Sequence, residues 1–186
     1  MSILAELSFN KLSPSEEQKS FDCQDDDLND FFHSDAAHYS RELLAVTYTF
    51  EKDNDVVSFF SVLNDKISCE QINAEKLPNK LQRKIPNPKR MRSYPAVKVG
   101  RLGVNHKYKG EGVGSDVIDV IKHSFTTNNK TGCRFITVDA YNCDPVIKFY
   151  EKNGFKFLTD DDEKEETRLM YFDLINFIPL ELEAGE

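Results

Sequence analysis

Ala96-Val97-Lys98-Val99-Gly100-Arg101-Leu102-Gly103-Val104-Asn105-His106-Lys107-Tyr108-Lys109-Gly110-Glu111-Gly112-Val113-Gly114-Ser115 carries a strand into a helix through a glycine turn, and its reading decides that of the whole chain. As far as Val104, aliphatic and polar residues alternate through Val97, Val99, Leu102 and Val104. Gly100 and Gly103 interrupt them as a bulge or a close backbone approach would. Beyond the turn, Val113, Val117, Ile118, Ile121 and Phe125 recur at helical spacing. A helix start carries unpaired amide N–H groups and the positive end of the dipole, and glycine lets a ligand come against the backbone. The segment therefore outlines an anion site.

Two familiar spellings of such a site can be tested. A Walker loop requires a glycine, four intervening residues and then Gly-Lys-Ser/Thr, and no Lys-Ser or Lys-Thr follows in that register. A dinucleotide fingerprint puts a small residue where Ser115 stands and an acidic residue about twenty positions on, near Asp139. Its glycines, however, follow the strand directly, whereas Asn105 to Lys109 intervene here.

A third spelling, Gln/Arg-x-x-Gly-x-Gly/Ala after an apolar strand, is the acetyl-CoA signature of the GCN5-related N-acetyltransferases (GNAT). Val99 to Val104 followed by Tyr108-Lys109-Gly110-Glu111-Gly112-Val113-Gly114 resembles it, with Lys109 in the Arg/Gln position. That exchange keeps the positive charge and loses a planar bidentate contact. A second block resembles the family's fifth strand and the helix after it: Phe135-Ile136-Thr137-Val138-Asp139-Ala140, then Val146 to Phe155 with a Tyr-x-x-x-Gly-Phe ending. The resemblance implies an α/β fold with a mixed, mostly antiparallel central sheet, splayed between its fourth and fifth strands and flanked by helices. It implies one N-acetyltransferase domain over 1–186, with an acetyl-CoA-binding core at about 95–158.

The same resemblance assigns roles. Backbone groups of Leu102, Gly103 and Val104 would pair with the pantetheine arm of acetyl-CoA; Lys109, Gly110, Glu111, Gly112, Val113, Gly114 and Ser115 would surround its pyrophosphate. Tyr150 matches the family tyrosine that protonates the leaving thiolate. Where the family often has Asn seven residues before that tyrosine, this chain has Cys143, with Asn142 one place earlier. Either Asn142 takes the cofactor contact through a register shift or the contact is absent. Asp139, Glu70 and His106 are candidate general bases by type, and a water chain would need none of them. No metal enters this chemistry.

Composition bounds the alternatives. The 186 residues, 39% of them hydrophobic with 14 Phe and 7 Tyr, suffice for a packed core. A net charge of −8 argues against indiscriminate nucleic-acid binding. Cys23, Cys69, Cys133 and Cys143 form no Cys-x-x-Cys pair and have no zinc-finger histidines, so reduced structural thiols are expected. No signal-like start and no apolar run near about 20 residues is evident, so a cytoplasmic protein without a membrane span is expected.

The remaining elements fall in order. Ser2 to Phe9 alternates like a first strand. Asp25-Asp26-Asp27 precedes Leu28, Phe31, Phe32, Ala36 and Tyr39 at helical spacing, as acids on a helix's first turn do. Leu43 to Phe50 and Val56 to Leu63 form a hairpin. Phe21-Asp22-Cys23, Leu28 to Phe32, this hairpin and Gly100-Arg101-Leu102-Gly103-Val104 are similar to the branch of the family that contains tRNA-acetylating toxins. Lys76 to Arg101 is basic without an acid, either a rim for CoA phosphates or tRNA, or a solvated loop balancing an acidic body. Asp144-Pro145 opens a helix that Asn153-Gly154 ends, and Phe155 to Leu158 and Thr167 to Leu174 are the last strands, joined by an acidic turn.

The expected activity is acetyl transfer from acetyl-CoA, by direct attack, to a primary amine of an unidentified acceptor, a small molecule or an aminoacyl-tRNA. The alternatives are toxin-type acetylation of aminoacyl-tRNA, with an antitoxin as partner, and a CoA-binding sensor without turnover. A homodimer is a further expectation.

Overall fold

The computed structural model describes residues 3–15, 19–68, 93–127 and 131–178. Its strands are β1 (Ser8–Lys11), β2 (Val46–Lys52), β3 (Asp55–Ser68), β4 (Ser93–Val104), β5 (Phe135–Tyr141), β6 (Lys156–Phe157) and β7 (Thr167–Asp173). The α-helices are α1 (Asp26–Asp30), α2 (Ala36–Arg41), α3 (Val113–Thr126) and α4 (Asp144–Lys152). The strands hydrogen-bond in the order β1-β2-β3-β4-β5-β7-β6. Every described pairing is antiparallel except β4 with β5. This is the mixed, mostly antiparallel sheet expected from the sequence. The chain forms two compact units: Met1–Asn64 with Val99–Ile121, and Asp65–Lys98 with Lys122–Glu186.

In the first unit, β2 and β3 form the expected hairpin, turning at Asp53 with φ +55°. The strand begins at Val46, not Leu43, because α2 ends in a Schellman turn. The Leu44 amide donates to the Tyr39 carbonyl and the Leu43 amide to that of Ser40, with Leu43 at φ +57° and almost fully exposed. The first strand also differs from expectation, since Ile3–Glu6 is a 3-10 turn and β1 starts only at Ser8. Asp25 caps α1 by accepting from the Leu28 amide, with Asp26 and Asp27 in the first turn, where the dipole favours them. A π-helical stretch, Phe31–Asp35, joins α1 to α2. Phe21, Phe31, Phe32 and Phe59 make an aromatic core with Cys23, Ala36 and Val56, their rings 4.9–6.2 Å apart.

In the second unit, β4 meets β5 at only three positions, Ala96↔Phe135, Val97↔Ile136 and Lys98↔Thr137. Beyond them β5 pairs with β7, as far as Tyr141↔Thr167. Ile67, Tyr94, Ala96, Phe135 and Leu158 form the core there, with Leu169 and Tyr171 against it. α4 begins with Pro145 in its first turn and ends at Gly154, φ +84°, as the sequence predicts. No helix among the described residues is long and apolar enough to cross a membrane. Cys23, Cys133 and Cys143 are free thiols, and Cys69 lies outside the described residues.

Candidate active site

The first unit holds the glycine turn. Asn105, 2% exposed, ends β4: its side-chain amide donates to the Val56 carbonyl, and its Oδ1 accepts from the Lys107 amide to cap the 3-10 turn His106–Tyr108. Gly110 and Gly112 follow at φ +87° and +85°, a region L side chains avoid, and a Cβ on either would meet nothing within 4 Å. α3 opens at Val113, with the Ser115 and Asp116 amides closing on the Gly112 carbonyl. The N–H groups of Gly110 to Gly114 donate to no acceptor among the described residues. An open surface of unpaired amides at a helix start is the physical content of an anion site.

Three contacts fix this turn to a segment some 80 residues earlier in the chain, at Asp22 and Cys23. The His106 amide and its Nδ1 both reach the Asp22 carbonyl, at 2.9 and 3.0 Å, and the Lys109 ammonium donates to the Cys23 carbonyl at 2.6 Å. Lys109, expected beside the pyrophosphate, thus ties the turn to its support. His106 has Asp22 as a neighbour, its Nδ1 3.7 Å from the carboxylate. A carboxamide at a strand end was the sequence signal available for Asn105; nothing in the sequence marks the carbonyls of Asp22 and Cys23.

β4 approaches this region on a bare backbone. A Cβ on Gly103 would lie 2.7 Å from Phe59 Cε1 and 3.0 Å from Phe21 Cζ, and one on Gly100 would lie 2.9 Å from Leu63 Cδ2. Both glycines therefore serve close approach, one of the two uses their spacing suggests. Leu102 and Val104 flank Gly103 and are half-buried.

Tyr150, Asn142 and Asp139 belong to the second unit. Tyr150 is 7% exposed, its ring edge-on to Phe149 and Phe155, and burial pushes its phenol well above the ordinary tyrosine value. Asn142 spends both amide hydrogens on the acidic turn, donating to the Glu163 and Glu165 carbonyls at 2.9 Å. Only its Oδ1 is left for a ligand. It lines a cavity of about 270 Å³ with Cys143, Ile147, Lys148, Phe157 and Arg168, which Tyr150 does not line. The acidic turn is held from its other side too: Asp162 accepts from Arg168 Nε at 2.8 Å and from the Leu169 amide at 2.6 Å. Asp139 is paired with Lys98 at 2.7 Å. Glu70 and the basic residues from Lys76 to Arg92 lie outside the described residues.

No known family model matches the chain, and no curated protein matches it by sequence. Solved structures do. A tyrosine-to-phenylalanine mutant of KacT is 19% identical, with a TM-score of 0.73 over 91% of this chain and 96% of that one. A tyrosine-to-phenylalanine mutant of the toxin AtaT, bound to the C-terminus of the antitoxin AtaR and acetyl-CoA, is 16% identical, with a TM-score of 0.69 over 96% and 99%. AtaT complexed with acetyl-methionyl-tRNAfMet is 18% identical, with a TM-score of 0.71 over 96% and 99%. At these identities the likeness is one of fold, and it extends over nearly the whole of each chain.

Proposed function

We propose that the chain is an N-acetyltransferase that moves an acetyl group from acetyl-CoA to a primary amine. The observation that carries this reading is the turn from Gly110 to Gly114 at the start of α3, whose N–H groups donate to no acceptor among the described residues and where a Cβ on Gly110 or Gly112 would meet nothing within 4 Å. A diphosphate fits such a surface, because its charge meets both the N–H groups and the helix dipole. Leu102, Gly103 and Val104 would pair with the pantetheine arm along β4, Glu111 and Val113 would contribute backbone amides beside the glycines, Ser115, whose amide is spent on the Gly112 carbonyl, would offer its hydroxyl, and Lys109 would hold the turn in place. The acceptor nitrogen forms a bond to the thioester carbon, the carbon–sulfur bond breaks, and sulfur leaves with the Tyr150 proton. The nitrogen gives its surplus proton to water, which also reprotonates the phenol. Among the candidate bases, Asp139 is committed to Lys98 and His106 to Asp22, which favours an amine that arrives neutral.

For the acceptor we favour the amino group of an aminoacyl-tRNA, because AtaT, alike over 96% of this chain, forms a complex with acetyl-methionyl-tRNAfMet. An antitoxin partner and a cytoplasmic location follow from the same reading. Neutralising Arg83, Lys84, Arg90 and Arg92 together should abolish tRNA binding and leave acetyl-CoA binding intact; equal loss of both would count against tRNA.

Isothermal titration with acetyl-CoA, followed by thiol release over an amine and aminoacyl-tRNA panel, tests the activity. Binding without release under every acceptor identifies a sensor, and absence of binding removes the reading of the turn. Gly112→Ala sharpens the test. The left-handed backbone there costs an alanine about 1–2 kcal/mol, and the new methyl occupies the surface offered to phosphate. Acetyl-CoA affinity is expected to fall at least roughly tenfold, the equivalent of about 1.4 kcal/mol. Gly132→Ala, also in open space but without a positive φ, is the control expected to bind normally.

A further inference from the structure

We propose that Lys122 is a positioning residue for Tyr150, an inference that rests on the reading of Tyr150 as the proton donor. Lys122 lies on α3 one turn beyond Ile118, in the apolar stripe, and is 6% exposed. Its ammonium donates to the Asn153 carbonyl at 3.0 Å and sits 4.5 Å from the ring centre of Phe172 and 5.6 Å from that of Phe177. Asn153 is the C-cap of α4, the helix that carries Tyr150.

The contacts around that cap converge on Tyr150. The Asn153 amide donates to the Phe149 and Tyr150 carbonyls, its side chain returns to the Phe149 carbonyl, and the Phe155 amide donates to the Tyr150 carbonyl at 3.0 Å. The side chains repeat the connection. The Phe172 ring that Lys122 covers lies 5.7 Å from Phe155, which lies 5.3 Å edge-on from Tyr150. Gly154 completes the arrangement, since a Cβ there would stand 3.0 Å from Phe172. A cation at a helix C-terminus answers unpaired carbonyls and the negative end of the dipole, and a cation over an aromatic face gains again from being desolvated. Lys122 therefore fixes both the backbone and the ring packing that aim the phenol, without being placed to touch the reacting atoms.

The test is a cycle of Lys122→Met and Tyr150→Phe, read by thiol-release rate, acetyl-CoA affinity and amide hydrogen exchange. Lys122→Met should lower kcat roughly 10- to 100-fold, the scale of a misplaced catalytic group, with acetyl-CoA affinity unchanged. It should cost little further in the Tyr150→Phe background, and Lys122→Arg should restore part of the rate. Independently of turnover, the Asn153, Gly154 and Phe155 amides should exchange faster in Lys122→Met while those of β5 and β7 do not. Equal rate loss in both backgrounds, faster exchange throughout the second unit, or failure of Lys122→Met to fold overturns the proposal. If Tyr150→Phe itself keeps full rate, the reading of Tyr150 fails first, and the exchange data still report whether Lys122 holds the cap.

Discussion

Tyr150→Phe is expected to lower the rate of acetyl transfer roughly 100- to 10,000-fold, the usual contribution of a positioned general acid, while acetyl-CoA binds as before. The substitution removes one oxygen from a buried ring and leaves the contacts with Phe149 and Phe155 in place, so the fold should be kept. Burial raises the phenol's pKa and keeps it protonated, and the acid form is the one catalysis needs. The sign follows for pH. An acid with a raised pKa is lost only as pH climbs through that raised value, so Tyr150 should impose no fall in rate below about pH 10, the unperturbed tyrosine value. The rising limb belongs instead to the acceptor, which must shed a proton to attack. An α-amino acceptor places it near pH 8 and a lysine-like amine above pH 10, going by their ordinary values of about 8 and about 10.4. The same pH–rate profile thus tests the acid and sorts the acceptors. An unchanged rate in Tyr150→Phe would return the residue to the core, where an aromatic at helical spacing usually belongs.

What the sequence made legible was whatever local backbone chemistry decides. Gly110, Gly112 and Gly154 stand at positive φ because no other residue tolerates it cheaply, and each marked its turn in advance. Asp25 and Pro145 announced helix starts by the same logic. The exceptions arise where a residue type is used against its preference, or where the partner is distant. Leu43 takes the left-handed position that glycine normally signals, so a β-rich composition concealed the end of α2. Alternation from Ser2 to Phe9 mimicked a strand because a short 3-10 turn leaves little periodicity of its own. Lys109 reaches a carbonyl 86 residues away, and Asn142 gives its amide to a turn that begins far along the chain. Backbone carbonyls belong to every residue, so sequence holds no mark of which one a lysine will find. Turns and helix ends were therefore more legible than the partners their side chains would find.

Phe59→Ala should be the most damaging single change to the first unit, at about 3–5 kcal/mol, a large share of the roughly 5–15 kcal/mol that keeps a domain folded. Phe59 is fully buried, and its ring meets Phe21 edge-on at 5.0 Å, Phe32 at 4.9 Å and Phe31 at 6.2 Å. Truncation would open a cavity among rings that cannot all move into it. Leu43→Ala removes a side chain of similar hydrophobicity that is 91% exposed, and should change stability by less than about 0.5 kcal/mol. Denaturant titration of the two variants separates burial from hydrophobicity, and comparable losses would mean the aromatic core has been misplaced. The effect should also reach the site, because Phe59 packs against β4 where the chain has no side chain to spare. Gly103→Ala drives a methyl to 2.7 Å from the Phe59 ring, so one of the two must move. A Phe59→Leu background relieves that contact and leaves the 3.0 Å approach to Phe21 Cζ. Gly103→Ala should then cost less than in the natural sequence, a coupling of about 0.5–3 kcal/mol between touching residues. Additive losses would show that the glycine serves the β4 backbone itself and not the ring beneath it.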